Sequence, residues 1–79
     1  MKDLLEYIVS SIVEKPDKIQ IEEQDSDGVT NYVISVSQDD MGRVIGKGGK
    51  VIRAIRNTLR VPAMKQGKKI YVSLSENPQ

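Results

Sequence analysis

Residues 44–52 read Val44-Ile45-Gly46-Lys47-Gly48-Gly49-Lys50-Val51-Ile52, and this stretch decides how the rest of the chain is interpreted. Its glycines at 46 and 49 allow the backbone to turn sharply and to lie close to another molecule, because no Cβ intrudes. The pattern after Gly49 predicts a helix, whose first N–H groups and dipole attract phosphate oxygens. We therefore expect bare backbone amides at residues 46–49 to form a cradle for an anion.

Four side chains support this loop. Lys47 and Lys50 place positive charge directly beside the expected anion. Ile45 and Ile52 flank the glycines, and we expect both to anchor the loop by packing into the core on either side.

Charge is distributed unevenly along the 79 residues. Residues 1–40 carry ten acidic and three basic side chains, a net charge of −7, whereas residues 41–79 carry nine basic and one acidic, a net charge of +8. No carboxylate occurs between Met41 and Ser75. This asymmetry indicates an anionic partner for the second half of the chain. A basic helix face that contacts only solvent is the plain alternative.

The first half predicts a helix and a hairpin. Apolar residues at helical spacing predict a helix over residues 3–15, capped by Asp3 and stopped by Pro16. Alternating apolar and polar residues then predict two strands joined by a turn at residues 24–28, where Asp-Gly readily supplies positive φ. The strand residues expected on one buried face are Ile19 and Ile21 in the first strand and Tyr32, Ile34 and Val36 in the second.

The second half begins with a short helix through residues 41–45, opened either by a capping box of Ser37 and Asp40 or by Asp39. After the glycine loop, a second helix is predicted over residues 50–60.

Beyond this second helix, Pro62 is expected to follow its end, and a final strand covers about residues 69–75. The residues predicted to be buried are Ile52, Ile55, Leu59, Ile70, Val72 and Leu74. The basic residues predicted to be exposed are Lys50, Arg53, Arg56 and Arg60.

These elements follow the order α-β-β-α-α-β. One three-stranded mixed sheet with helices packed on one face satisfies the pattern, an α/β (α+β) architecture. The length suits one domain and is too short for two. We therefore expect a single domain over residues 1–79, with its core at about 3–75 and a frayed tail at 76–79.

The composition excludes several kinds of chemistry. The chain contains no cysteine and no histidine, which removes disulfides, thiol nucleophiles, imidazole bases and the usual zinc sites. We therefore expect no enzymatic activity, no cofactor and no metal. Polar residues such as Glu6 and Glu14 interrupt the apolar residues near the amino terminus, unlike in a secretory signal, so the expected location is the cytoplasm.

Other glycine-rich motifs fit less well. A phosphate-binding P-loop needs four residues between its first two glycines, yet only three separate Gly42 from Gly46. A dinucleotide fingerprint needs glycine or alanine at position 51, which is valine. A calcium loop needs oxygen ligands at positions 29 and 36, and both are valine. A helix-turn-helix DNA reader is a stronger rival, but the flanking strands are unusual for that class.

The stretch from Val44 to Ile55 resembles the signature of the KH family, in which a Gly-x-x-Gly loop is flanked by isoleucine or valine. The helix and strand before the β-α-α-β core resemble the type II, bacterial arrangement of that fold. The likeness extends over about residues 3–75, and a single KH unit with nothing else is similar to the small bacterial KhpA family. This resemblance implies an RNA chaperone or post-transcriptional regulator. It also implies a homodimer, or a heterodimer with a larger KH-containing protein of the Jag type.

The resemblance further implies which residues bind RNA. In KH domains the Gly-x-x-Gly loop clamps four nucleotides of single-stranded backbone. Arg43, Lys50 and Arg53 would reach phosphates from the flanking helices. The full implied set is Gly46, Lys47, Gly48, Gly49, Lys50, Arg43, Arg53, Val44 and Val51.

For the bases, Val44 and Val51 with part of the second strand would form an apolar floor, and the turn at residues 25–28 would form the opposite wall. That turn is acidic and the chain has no Phe or Trp, so one copy is expected to bind weakly and with little sequence preference. Two alternatives stay open: a single-stranded DNA binder, and a KH-shaped protein-interaction module.

Overall fold

The computed structural model describes residues 1–76 and confirms the order α-β-β-α-α-β. Residues 77–79 of the tail predicted to fray lie outside this range. Short 3₁₀ turns occur at Pro16–Lys18 and Lys47–Gly49. The helices are α1 (Lys2–Ser10), α2 (Gln38–Ile45) and α3 (Lys50–Lys65), and the strands are β1 (Gln20–Ser26), β2 (Val29–Val36) and β3 (Lys69–Glu76).

The strands form one mixed sheet in the order β1-β2-β3. Asp27 and Gly28, with φ of 50° and 79°, join the antiparallel pair β1 and β2. Two residues with positive φ make the tight turn that matches hairpin twist, so the strands extend into the turn predicted at residues 24–28. β2 and β3 are parallel, with Thr30 opposite Ile70. A parallel pair needs a long crossover connection, and α2, the loop and α3 supply it.

The core lies between the sheet and the helices. Alternate residues of β2 are buried, as the sequence predicts. Apolar residues of all three helices complete this core. The buried cluster consists of Leu5, Val9, Tyr32, Ile34, Val36, Val44, Ile52, Ile55, Leu59 and Val72.

The first helix ends at Ser10, well before the predicted end at residue 15. The chain that follows is held by Asp40 of α2, whose side chain is only 1% exposed. Its two carboxylate oxygens accept the backbone amides of Glu14 and Lys15, each at 3.0 Å. These amides would bond within a longer α1. Here they fix the chain after α1 to the start of α2 instead.

Neither predicted side-chain cap forms. Met1, not Asp3, occupies the cap position of α1. Ser37 occupies the cap position of α2, but its buried hydroxyl has no hydrogen-bond partner among the described residues. The predicted capping box is therefore wrong, because Asp40 is committed to the chain after α1.

The third helix continues through Pro62 to Lys65, so the prediction that Pro62 follows its end is wrong. Proline lacks the N–H that would bond to the carbonyl of Thr58, and its ring crowds that carbonyl, so Pro62 weakens the preceding turn without ending the helix. Ala63 is 1% exposed and its carbonyl accepts the N–H of Lys68 at 2.9 Å. Burial of Ala63 and this bond stabilise the last turn.

Candidate nucleic-acid interface

The loop begins at Gly46, where α2 ends with φ 75° and ψ 171°. A Cβ on this residue would lie 2.3 Å from Cγ2 of Val51 and 2.8 Å from its backbone nitrogen. The positive φ alone already disfavours an L side chain. Only glycine therefore allows the end of α2 and the start of α3 to approach this closely.

Two backbone amides of the loop point away from the protein. The carbonyl of Gly46 accepts the N–H of Gly49 at 3.1 Å, and the carbonyl of Lys47 accepts the N–H of Lys50. In a trans peptide the N–H points opposite to the C=O, so the amides of Lys47 and Gly48 are turned outward. Neither has an acceptor within residues 1–76. The predicted cradle therefore offers two free amides, because the other two bond within the protein.

Two cations stand beside these amides. Lys47 and Lys50 are exposed, and neither forms an ion pair with another described residue. Arg53 lies against the loop itself. Its Nη2 donates to the carbonyl of Gly48 at 2.8 Å and its Nε to that of Gly49 at 3.3 Å.

Arg43 is already paired with acidic groups. Its Nη2 donates to Glu14 Oε1 at 2.5 Å, and its Nε lies 3.4 Å from Asp40 Oδ1. Both acids belong to the junction between α1 and α2. The guanidinium is half exposed, but its first partners are carboxylates, so the structure does not bring Arg43 together with the loop cations as a free charge.

A second ion pair neutralises the start of α2. Lys15 donates to Asp39 at 2.9 Å, and this hydrogen bond lowers the pKa of Asp39 and raises the pKa of Lys15. The Lys15 side chain is half exposed and that of Asp39 is largely exposed, so the pair contributes little to stability. The acids thus gather at the amino end of α2, and the glycine loop follows its carboxyl end, about 12 Å away along an eight-residue helix.

The apolar residues beside the loop exchange their predicted roles. Val44 is fully buried and 37% of Ile45 is exposed. Val44 shares the buried face of α2 with Asp40, four residues earlier, as helical spacing requires. The predictions that Ile45 anchors the loop and that Val44 lies beneath bases are therefore wrong. Ile52 is buried as predicted, and Val51 is half-buried beside Gly46.

A groove runs from the loop between α3 and the free edge of β3. The part nearer the loop has a volume of about 510 Å³. Its α3 wall carries Arg53, Arg56 and Arg60, which share one helix face because they are three and four residues apart. Arg56 Nε donates to the carbonyl of Val72 on the β3 wall at 3.2 Å. A second part of about 420 Å³ continues to Met64.

The walls of this groove differ from those predicted. β3 forms the wall opposite α3, whereas neither β2 nor the turn at residues 25–28 lines either part. The turn lies at the far end from the loop, where the carbonyl of Gly28 accepts the N–H of Lys69 at 3.3 Å. The sequence predicts Arg56 and Arg60 as exposed but does not assign them to the site. Their helical spacing from Arg53 is the signal that identifies them.

The family follows from comparison with known proteins. The model of the KhpA/KhpB KH domain matches residues 2–74. This chain belongs to that family. It is 38% identical over 74 residues to the RNA-binding protein KhpA of Clostridium acetobutylicum, covering 94% of this chain and 99% of the relative. It is 38% identical over 76 residues to the RNA-binding protein KhpA of Listeria monocytogenes, covering 96% and 100%.

Solved structures place the KhpA/KhpB fold within larger proteins. A variant of Era from Aquifex aeolicus bound to GDP and AlF4⁻ aligns with a TM-score of 0.67 and 19% identity. Era in complex with MgGDPNP and nucleotides 1506–1542 of 16S ribosomal RNA aligns with a TM-score of 0.61 and 19% identity. Each alignment covers 94% of this chain, which spans 29% and 28% of the two Era chains. At this identity the likeness establishes the shared fold.

Proposed function

We propose that this KH-family chain binds single-stranded RNA and catalyses no reaction. The observation that carries the proposal is the pair of outward amides of Lys47 and Gly48. The cations Lys47 and Lys50, which form no ion pair within residues 1–76, flank them. Phosphate oxygens need donors and positive charge at the same place, and this loop supplies both. The names of the KhpA relatives and the ribosomal RNA in one Era complex support the same ligand class.

The groove beside α3 receives the bases in this proposal. The loop fixes the backbone at one end, and the strand then follows the arginine face of α3 towards Met64. Arg56 and Arg60 supply guanidinium planes on which bases stack. Ile45 replaces Val44 as the apolar contact beside the loop, because its side chain is exposed.

We further propose how the protein acts in the cell. Residues 1–79 act as one KH domain in the cytoplasm, as an RNA chaperone or regulator. No helix among residues 1–76 is long and apolar enough to cross a membrane. One copy contacts only a short stretch of RNA, and the chain has no Phe or Trp for strong stacking. A second RNA-binding site, in a homodimer or in a larger KH-containing partner of the Jag type, therefore raises the affinity.

The test is a pair of double variants at the middle of the loop. Lys47→Asp with Gly48→Asp places two negative charges beside the free amides, whereas Lys47→Asn with Gly48→Asn has nearly the same shape without them. Both should fold, because Gly48 (φ 64°) has open space around it and Asp and Asn tolerate left-handed backbone well. Binding to an unstructured RNA oligonucleotide is measured by fluorescence anisotropy.

We expect the aspartate pair to abolish detectable binding and the asparagine pair to retain a weakened affinity. A folded aspartate variant that binds the RNA like the wild type refutes the loop assignment. A wild-type protein that binds single-stranded DNA equally well, or no nucleic acid at all, favours the DNA-binding or the protein-interaction alternative.

A further inference from the structure

We propose that Arg53 is a positioning residue, which locks the peptide group between Gly48 and Gly49 and thereby keeps the amides of Lys47 and Gly48 turned outward. The inference rests on the proposed RNA binding, because these are the amides assigned to phosphate. It gives Arg53 a different role from the direct phosphate contact that the family resemblance implies.

The peptide between Gly48 and Gly49 has little steric restraint. Both residues have positive φ, 64° and 77°, and neither has a Cβ. A Cβ at Gly48 would meet nothing within 4 Å and one at Gly49 would reach only Cγ2 of Ile52 at 4.0 Å, so steric contact does little to fix this peptide. A peptide group between two glycines can rotate more freely than any other. Hydrogen bonds must therefore hold its orientation.

Arg53 and Gly46 provide these bonds from opposite sides. The carbonyl of the peptide accepts Arg53 Nη2 at 2.8 Å, and its N–H, which belongs to Gly49, donates to Gly46 at 3.1 Å. Rotation of the peptide would break both bonds at once. The carbonyl of Gly46 would then lose its donor, and the peptide that carries the Lys47 amide would be free to turn as well.

An arginine suits this role better than a lysine. Its guanidinium presents donors in a fixed fork, and here Nε and Nη2 reach two successive carbonyls, those of Gly49 and Gly48. The ammonium of a lysine is a point charge on a flexible side chain, so it does not hold the two carbonyls in one fixed geometry. The helix dipole also opposes a cation in the first turn of α3. The contact with the loop carbonyls, not the stability of α3, accounts for the guanidinium at this position.

Charge-conserving and charge-removing variants separate positioning from phosphate contact. Arg53→Lys keeps the charge and loses the fork, and Arg53→Gln loses both. Arg60→Lys is the control for loop dynamics: Arg60 lies on the same face of α3, where it is assigned to base stacking, and it has no bond to the loop among the described residues. Two quantities are measured: ¹⁵N relaxation and amide exchange of Lys47 and Gly48 in the free protein, and affinity for an unstructured RNA.

We expect faster amide exchange and larger relaxation-detected motion at Lys47 and Gly48 in both Arg53 variants, and no change in Arg60→Lys. Both Arg53 variants should bind RNA about three- to tenfold more weakly, as expected for one charged hydrogen bond in an exposed setting. Arg60→Lys loses a guanidinium plane assigned to base stacking and should also bind RNA more weakly, whereas Lys2→Gln on α1 should bind like the wild type.

Two results would overturn the proposal: loop amides that are unchanged in both Arg53 variants, or Arg53→Lys with wild-type affinity while Arg53→Gln is weak, which assigns Arg53 a role through charge alone. If the wild type binds no RNA, the proposed function fails. The measurements on the free protein still decide whether Arg53 positions the loop.

Discussion

Gly46 lies directly against Val51, so closely that a Cβ at residue 46 would be 2.3 Å from Val51 Cγ2 and 2.8 Å from its backbone nitrogen. The end of a flexible side chain can move away from such an intrusion, but a backbone nitrogen in the first turn of α3 cannot do so without moving the helix. This contact sets the angle at which α2 and α3 meet, and so the shape of the loop between them.

Gly46→Ala should therefore lower the free energy of unfolding by about 2–4 kcal/mol, because overpacking and positive φ both act there. Gly48→Ala is the matched control, since Gly48 also has positive φ but open space around it. Its expected cost is about 1 kcal/mol. Urea unfolding measures both. Equal losses for the two variants would show that the contact with Val51 is unimportant.

RNA affinity should depend moderately on salt. With two to four phosphates contacted, a plot of log K against log [salt] should have a slope of roughly −1.4 to −2.8, about −0.7 for each contact with a single strand. Lys47→Gln should make the slope less steep by about 0.7. Lys2→Gln on α1 is the control and should leave it unchanged. A slope near zero for the wild type would contradict binding through phosphates.

Asp40 should be important for stability although it lies outside the loop. Asp40 accepts the backbone N–H groups of Glu14 and Lys15, and Asp40→Asn places an NH2 group against one of these two donors. This variant should lower the free energy of unfolding by about 1–3 kcal/mol. Asp39→Asn removes the neighbouring carboxylate, which is 77% exposed, and should cost less than about 1 kcal/mol. Chemical denaturation at neutral pH compares them. A loss for Asp39→Asn as large as that for Asp40→Asn would contradict this distinction.

Alkaline pH should destabilise the fold through Tyr32. Burial, and then the charges of Glu23 and Asp25, raise its pKa above the ordinary value of 10.0. Below pH 10 the hydroxyl is protonated in folded and unfolded chains alike, and its contribution to stability is fully present. That contribution is lost as the pH rises from 10 through the pKa of the folded state, because the unfolded chain ionises first.

Tyr32→Phe should accordingly lose less stability between pH 9 and 11 than the wild type. Tyr71→Phe, at a residue that is 58% exposed, should behave like the wild type. Thermal unfolding across this range provides the comparison. Identical pH profiles for Tyr32→Phe and the wild type would show that the raised pKa has no effect on folding.

Local patterns in the sequence predict the fold well. Three correctly predicted features depend only on residues close together in sequence. They are the alternation in β2, the Asp27-Gly28 turn and the helical spacing of Ile52, Ile55 and Leu59. For the same reason the glycine loop and its lysines are predicted in the right place. The family model and the relatives confirm the KH assignment.

Three of the errors involve partners distant in sequence. The early end of α1 depends on Asp40, 25 and 26 residues from the amides it accepts. Arg43 is not a free charge beside the loop because it forms an ion pair with Glu14, 29 residues away. The rotation that buries Val44 and exposes Ile45 also depends on which face of α2 meets the core. Spacing along the chain contains none of this information, because tertiary packing decides it.

The loop interrupts a crossover between two parallel strands, with Thr30 paired to Ile70 and Val36 to Glu76. Partners forty residues apart must meet before α3 has a complete surface to pack on, and such distant pairing forms slowly. During synthesis on the ribosome, a nascent chain that has not yet released β3 lacks one wall of the groove and the support for α3. We therefore expect the groove to form only after β3 has left the ribosome.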